Sequence, residues 1–193
     1  MFSDSTDTGL LMRLHEPELR DAAWKDFVAI YTPGIWALAK YFRLQEADAE
    51  DVTQAVLSKI YLGKYQRRPG HQFRSWLRQV TRNECRLRLR QERDRQHAVG
   101  GTLPEIPDEP ETPAFVAAEE ASHLTRVLER AGELGIRREA FTETSWRVFR
   151  ARFFKKRPAK DVAAEFGMTT GAVYSVQHRV LTWLRVELPN LLN

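Results

Sequence analysis

The sequence predicts an all-α protein with two small helical domains, joined by a flexible acidic, proline-rich linker, in which the second domain is a helix-turn-helix domain. Apolar residues recur at helical spacing along most of the 193 residues, and no stretch alternates for long enough to predict a strand. His97 to Pro113 contains two glycines, four prolines and four acidic residues, which is typical of a linker. Ala159 to Arg185 has the pattern of two helices joined by a turn. The predicted segments are 1–95, linker 96–119 and 120–193.

Charge is strongly segregated along the chain, although the formal net charge is only +4. Arg67 to Arg95 has ten arginines and three acidic residues, and Arg137 to Lys160 has nine basic and two acidic residues. Gln96 to Glu120, between them, has six acidic residues and no lysine or arginine. Two basic blocks separated by an acidic spacer indicate two contacts with a polyanion, although a basic block is also typical of a solvated helix face.

Composition excludes several classes of protein. A single cysteine, Cys85, excludes an intramolecular disulfide and argues against a thiolate metal site. The five histidines are scattered, so no metal and no cofactor is expected. The sequence has neither a signal-like start nor an apolar run of about 18 residues. We therefore expect a cytoplasmic protein without membrane insertion.

The first domain begins with helical spacing from Leu11 to Tyr31, with a break near Pro17. Thr32-Pro33 predicts the end of one helix and the start of the next, because proline disfavours helix at the residue before it and suits a first helical position. The apolar residues from Ile35 to Phe42 are interpreted as domain core.

An acidic helix is predicted within Gln45 to Gly63. Asp48 is predicted to cap it, with Asp51 three residues later in the reciprocal position. The buried face would carry Val52, Val56 and Ile60, and the displayed face Glu50, Asp51, Gln54 and Ser58. Capping explains these carboxylates better than catalysis, because no histidine or further carboxylate completes a site.

The next predicted helix runs to Arg95 and follows a basic loop from Lys64 to His71. Arginine recurs at every fourth position, which forms a winding row that we call the arginine ridge: Arg74, Arg78, Arg82, Arg86 and Arg90. An apolar stripe is predicted beside it: Phe73, Trp76, Leu77, Val80 and Leu87. The ridge can follow a phosphate backbone, and Trp76 or Tyr65 can stack on an unpaired base. The alternative is a solvated ridge with Trp76 in the core.

In the second domain, a helix is predicted from Ala114 to Leu134, with a turn around Gly135. Another is predicted from Phe141 to Phe154, capped by Thr142 or Thr144. Its inward residues would be Trp146, Val148, Phe149 and Phe153, and its outward residues Arg147, Arg150 and Arg152.

The helix-turn-helix prediction for Ala159 to Arg185 depends on residue types at fixed spacing. The predicted buried positions are Val162, Ala163, Phe166, Val173 and Val176, with Met168 closing the corner. Gly167 supplies a left-handed turn, and Thr169 or Thr170 caps the second helix. The outward residues would be Thr170, Tyr174, Ser175, Gln177, His178 and Arg179, a hydrogen-bonding surface that fits a DNA major groove. An ordinary helical hairpin with a solvated polar face is the alternative.

The order of these motifs resembles the extracytoplasmic-function (ECF) sigma factors of bacterial RNA polymerase, which are of the sigma-70 class. DAEDVTQAVLSKIY, from Asp48 to Tyr61, looks like the helix that docks on the clamp helices of the largest polymerase subunit. FRSWLRQVTRNECRLRLRQ, from Phe73 to Gln91, resembles the part that melts and reads the minus-ten element. Ala159 to Arg185 resembles the helix-turn-helix that reads the minus-thirty-five element.

The resemblance implies a non-enzymatic factor that binds core RNA polymerase and promoter DNA, and it allows an anti-sigma partner. The implied polymerase-binding residues are Asp48, Glu50, Asp51 and Gln54. The implied minus-ten residues are Arg74, Trp76, Arg78, Arg82, Asn83 and Arg86. The implied minus-thirty-five residues are Lys160, Thr170, Tyr174, Ser175, His178 and Arg179, with Lys156, Arg157 and Lys160 on phosphates. Tyr174 departs from the family, in which many members have a basic residue there.

Two other functions are weighed against this one. A stand-alone helix-turn-helix regulator would bind a palindrome as a dimer, but it leaves the acidic helix and the arginine ridge unexplained. A DNA-processing enzyme would need a nucleophile or a metal cluster, and the sequence offers no such constellation.

Overall fold

A computed structural model describes residues 8–65, 72–99 and 113–192 of the chain. In these ranges the regular structure is entirely α-helical, which confirms the predicted all-α class. The helices are α1 (Thr8–His15), α2 (Arg20–Tyr41), α3 (Glu46–Tyr61), α4 (Phe73–Val99), α5 (Pro113–Arg137), α6 (Glu143–Phe153), α7 (Ala159–Glu165) and α8 (Thr170–Leu192). None of these helices has both the length and the apolar character needed to cross a bilayer. Most of the predicted basic loop, residues 66–71, and of the linker, residues 100–112, lies outside the described residues.

The chain divides into two compact units, Met1–Arg126 and Val127–Asn193. The division falls inside α5, after the predicted linker 96–119, because the first half of α5 packs on α2 and α4. In the first unit, α2, α3 and α4 pack on one another and α1 packs on α2. Their shared core includes Phe27, Ile30 and Val56, all with 0% exposure.

Helix α2 is continuous through Pro33, so the predicted break at Thr32-Pro33 is wrong. Proline removes the backbone donor that would bond the carbonyl four residues earlier, and this destabilises a helix interior. Apolar residues on both sides of the proline are buried in the same core, among them Ile30 before it and Ile35 and Leu38 after it. Burial of this one face therefore keeps the helix intact where local preference predicted two helices.

The start of α3 also differs from the prediction. The helix begins at Glu46, with Gln45 at the N-cap, and no side chain there accepts a capping hydrogen bond. Asp48 lies in the first turn, and its carboxylate pairs with Arg88 of α4. The predicted cap by Asp48 and Asp51 is therefore wrong, although negative charge in this turn still suits the helix dipole. The predicted buried face of Val52, Val56 and Ile60 is confirmed.

Helix α4 buries a row of residues spaced by four: Phe73, Leu77, Thr81, Cys85 and Leu89. Leu87, predicted in the apolar stripe, is instead 48% exposed. The Thr81 hydroxyl fits the core because it donates to the Leu77 carbonyl oxygen at 2.8 Å. Burial raises the pKa of the Cys85 thiol to about 12, so this cysteine stays protonated and serves as core.

The second unit is built from the end of α5 together with α6, α7 and α8. Gly135, predicted in a turn, lies inside α5, where a β-carbon would come within 2.3 Å of the Phe141 ring. Glycine is therefore needed for close packing, and the chain turns later, at Glu139, which has a φ of 58°. The Thr142 hydroxyl accepts from the Ser145 amide, which confirms the predicted cap of α6. Phe153 is 48% exposed, so its predicted inward position is wrong.

Candidate nucleic-acid interface

Helices α7 and α8 form a helix-turn-helix with the predicted core. Val162, Ala163 and Val173 are buried with Val148 and Ala151 of α6, and Phe166, Met168 and Val176 pack against them. The chain leaves α7 through Gly167, whose φ of 64° is the predicted left-handed conformation. The Met168 amide donates to the Ala163 carbonyl oxygen at 2.9 Å, which satisfies a terminal carbonyl of α7.

The outer face of α8 is polar and open. Thr169 caps the helix, since its hydroxyl accepts from the Ala172 amide at 3.1 Å. The six residues predicted for the minus-thirty-five element are all exposed: Lys160, Thr170, Tyr174, Ser175, His178 and Arg179. Ser175 also donates to the Gly171 carbonyl oxygen, so its hydroxyl can accept a bond from outside while it donates inside. Gln177, predicted to face outward with them, is half-buried.

Basic side chains before α7 and in its first turn differ in availability. Lys156 and Lys160 are exposed. Arg157 forms an ion pair with Glu165, and its backbone carbonyl accepts from Arg152. Of the three predicted phosphate contacts, the two lysines can therefore reach a polyanion without first losing such an ion pair.

On α4, each of the first four arginines of the ridge follows a buried residue by one position. Arg74, Arg78, Arg82 and Arg86 are all half-buried, whereas Arg90, which follows the buried Leu89, is exposed. Neighbours hold several of the polar groups: Arg82 donates to Gln79, and Gln79 donates to Asn83 at 3.0 Å. Asn83 itself is exposed. Each arginine of the ridge lies about 40° further around the helix than the one before it, because four residues exceed one helical turn. The ridge therefore does not stay on one face of α4.

Trp76 belongs to an aromatic cluster at the start of α4. Its ring lies 4.9 Å from the Tyr65 ring and 5.7 Å from the Phe73 ring, centroid to centroid. Phe73 is buried, whereas Tyr65 and Trp76 are half-buried. The two half-buried rings are partly accessible to solvent, and a base stacks on an accessible aromatic ring.

Helix α3 presents an acidic face that α4 partly organises. Glu50, Asp51, Gln54 and Ser58 are exposed, as predicted. Asp48 is only partly exposed, and one guanidinium nitrogen of Arg88 lies 2.6 Å from it and 3.1 Å from Asp51. The hydrogen bond to Asp48 raises the pKa of Arg88 above its usual value. Sequence reasoning missed Arg88, because the pairing joins residues 40 positions apart and Arg88 lies outside the four-residue ridge.

The first half of α5 adds residues that sequence reasoning also missed. Glu120 pairs with Arg74 at 3.0 Å, and Arg126 pairs with Glu119 at 2.9 Å. His123 is buried beside Tyr31, and its pKa is lowered to about 3 by burial and by the charges of Arg74 and Arg126. These residues lie in the predicted helix from Ala114 to Leu134, for which the sequence indicated no packing against the first domain.

The chemistry of these surfaces is that of binding. Within residues 8–65, 72–99 and 113–192, no three His, Cys, Asp or Glu side chains form a group that could hold a metal ion. Arginine, exposed amide and hydroxyl groups and partly open aromatic rings are the groups that bind phosphates and bases.

Comparison with known families assigns one part of the chain. Residues 27–95 match the model of the family described as Sigma-70 region 2, and this is somewhat more than a third of the chain. A search of curated proteins found no match. The matched residues include most of α2, all of α3 and most of the arginine ridge helix α4. This match identifies a sigma-70 region 2 domain in residues 27–95, and it supports a role in RNA polymerase binding and promoter recognition for this part of the chain.

Proposed function

We propose that this chain is an ECF-type sigma factor that binds core RNA polymerase and directs initiation by recognising both the minus-ten and the minus-thirty-five elements. One observation carries the proposal: the region 2 domain is followed on the same chain by a helix-turn-helix whose second helix has an exposed polar face. A sigma factor needs both surfaces, because two separated promoter elements must be bound by one polypeptide.

The acidic face of α3 is proposed to bind the clamp helices of the largest polymerase subunit. Asp51 and Glu50 are exposed charges, and Gln54 lies on the same displayed side of the helix. Arg88 forms ion pairs with Asp48 and Asp51, and these pairs restrict the rotamers of both carboxylates before polymerase binds. Charged contacts of this kind determine register and association rate more than affinity.

The part of α4 that carries the arginine ridge is proposed to bind the minus-ten strand. Arg74, Arg78, Arg82 and Arg86 supply guanidinium groups for phosphates, and the exposed Asn83 amide can bond a base edge. Trp76 offers a partly open ring beside them for an unpaired base.

The second unit is proposed to read the minus-thirty-five element through α8. Tyr174, Ser175 and His178 would face base edges, and Lys160 would contact phosphate. Arg179 and Arg185 are the only arginines of α8, and it has no lysine, so we expect the intrinsic affinity of this face for DNA to be low. Tethering to polymerase would compensate by raising the effective concentration of the helix at its site.

Promoter-specific transcription with purified core polymerase tests this function. The full chain should form a complex with core polymerase and start transcripts at promoters selected from genomic DNA. The alternative, a stand-alone helix-turn-helix regulator, predicts instead that the chain alone protects a palindrome and that core polymerase adds nothing. That result would refute the proposal.

A further inference from the structure

The first half of α5, residues 113–126, lies on a seat formed by α2 and α4 within the first unit. Arg126 donates from Nε to the carbonyl oxygen of Ile30 at 2.8 Å. The Phe115 ring lies 4.9 Å from the Tyr41 ring, and the His123 ring lies 5.1 Å from the Tyr31 ring. These contacts run from Phe115 to Arg126 and combine aromatic and hydrogen-bonded pairs, so side chains along this stretch hold α5 on the seat.

Gly34 makes room for the ion pair at the centre of this seat. A β-carbon at Gly34 would come within 2.9 Å of an Arg126 guanidinium nitrogen and 3.2 Å of a Glu119 carboxylate oxygen. Position 34 is inside α2, where glycine is less favourable than alanine by about 1 kcal/mol. The absent side chain therefore leaves space for the ends of the flexible Arg126 and Glu119 side chains, and a larger side chain at position 34 would take that space.

The docked segment also occupies one end of the arginine ridge. Glu120 of α5 lies 3.0 Å from Arg74, and Arg74 and Arg78 both line a small cavity of about 30 Å³ that α5 closes with Phe115, Glu119 and His123. Arg74 is only 19% exposed in this arrangement. A carboxylate of the protein thus takes the place at Arg74 that a DNA phosphate oxygen would take.

The contact between α5 and its seat leaves a buried polar atom without a hydrogen bond among the described residues. His123 is 3% exposed, and its Nε2 has no hydrogen-bond partner among the described residues. A buried polar atom without a partner destabilises the arrangement that buries it. The Arg74–Glu120 pair has one half-exposed member, and such pairs contribute little. The docked arrangement therefore includes one unsatisfied buried atom and one weak ion pair.

We propose that residues 113–126 are a displaceable cover that competes with single-stranded promoter DNA for Arg74 and Arg78. This inference rests on the proposed function, because it requires that these arginines bind the minus-ten strand. In the free protein the cover is closed and lowers the affinity for DNA. DNA binding moves it off the seat and releases Glu120 from Arg74.

The test measures binding of a fluorescein-labelled, mixed-sequence single-stranded DNA oligonucleotide to the full chain by anisotropy. Glu120→Gln removes the competing carboxylate and should tighten binding by about two- to fivefold, the range expected for one exposed ion pair. Glu133→Gln is the matched control: Glu133 is also an exposed α5 glutamate paired with an arginine, Arg130, but it belongs to the second unit. It should leave binding within the error of wild type.

Gly34→Leu tests the seat itself, because it fills the space of the Arg126–Glu119 pair without changing charge. It should tighten oligonucleotide binding at least as much as Glu120→Gln. Hydrogen exchange should become faster in residues 113–126 while α3 amides keep their protection, which shows that the helical core is still folded. Unchanged oligonucleotide binding in both Glu120→Gln and Gly34→Leu would refute the proposal that residues 113–126 compete with DNA.

Arg74→Gln separates the two hypotheses. If Arg74 binds DNA, this variant weakens oligonucleotide binding and abolishes the gain from Glu120→Gln. Weaker binding by Arg74→Gln with no gain in either cover variant refutes the cover and leaves the proposed DNA contact in place. No effect of Arg74→Gln refutes the DNA contact, and the cover fails with it.

Discussion

A guanidinium nitrogen of Arg88 in α4 lies 2.6 Å from a carboxylate oxygen of Asp48 in α3. This contact ties the acidic face of α3 to the helix that carries the arginine ridge. Arg88→Met keeps an unbranched apolar stem and removes the guanidinium group with its charge. We expect the free energy of unfolding of the first unit to fall by about 0.5–1 kcal/mol, because the pair is partly exposed and screened. Urea unfolding measures this, with the exposed Arg90→Met as control. An equal loss in both variants would show that the pairing with Asp48 is not the cause.

Charge reversal on α3 tests the proposed polymerase surface. Asp51→Arg should weaken binding to core polymerase by about tenfold or more, because like charges would then meet across the contact. Asp51 also pairs with Arg88, so reversal could act by disturbing α4.

Glu50→Arg resolves that ambiguity, since Glu50 is an exposed neighbour outside the Arg88 pairing. Competition against a labelled sigma factor for core polymerase gives both affinities. Loss in Asp51→Arg alone would assign the effect to Arg88 and contradict a polymerase contact at this face.

Gly167 should be sensitive to substitution because of its backbone and not because of crowding. Its φ is 64°, and a β-carbon there would meet nothing within 4 Å. Gly167→Ala should therefore destabilise the helix-turn-helix by about 1–2 kcal/mol, and Gly167→Asn by less, since asparagine adopts this conformation more readily. Hydrogen exchange of α7 and α8 amides reports the loss as about five- to thirtyfold faster opening. Gly171→Ala is the control, because Gly171 lies in the first turn of α8 and its nearest such contact is 3.8 Å away. Equal losses at positions 167 and 171 would contradict the role of the turn.

His123 predicts a pH dependence of stability. Its pKa is lowered from 6.5 to about 3, by burial first and then by Arg74 and Arg126. Between these values the unfolded chain binds a proton that the folded chain does not, so the stability due to neutral His123 falls as pH falls below 6.5. His123→Gln removes this titration. Urea unfolding should show wild type losing stability relative to His123→Gln as the pH decreases through this window, and a constant difference would contradict the prediction.

Sequence reasoning succeeded where structure depends on local spacing and failed where it depends on distant packing. The period of Val52, Val56 and Ile60 and the turn at Gly167 depend on neighbours a few residues away, and both are confirmed. Pro33 was misread because the core on both sides of it holds α2 together. The prediction for Leu87 is wrong because Thr81 and Cys85 occupy the buried face of α4. A pattern search that counts only apolar residues does not include these two side chains.

The candidate site divides in the same way. Exposure of the α8 residues and of Glu50, Asp51 and Gln54 could be predicted, because amphipathic faces are visible in the sequence. The ion pairs that join residues of different helices could not be predicted. Arg88 reaches Asp48 across 40 positions, and Glu120 reaches Arg74 across 46, and no local pattern contains such pairs.

The four-residue spacing of the ridge has a geometric consequence for whatever lies along it. From Arg74 to Arg86 the helix rises about 18 Å, while the arginines rotate about 120° around the axis. A chain of phosphates that contacted all four half-buried arginines would have to wind obliquely across α4 over a distance of only a few nucleotides. Duplex DNA is stiff over about 150 base pairs and cannot bend so sharply at low cost. A strand that has already left its complement can follow that path, so under the proposed function this spacing favours unpaired DNA over duplex DNA.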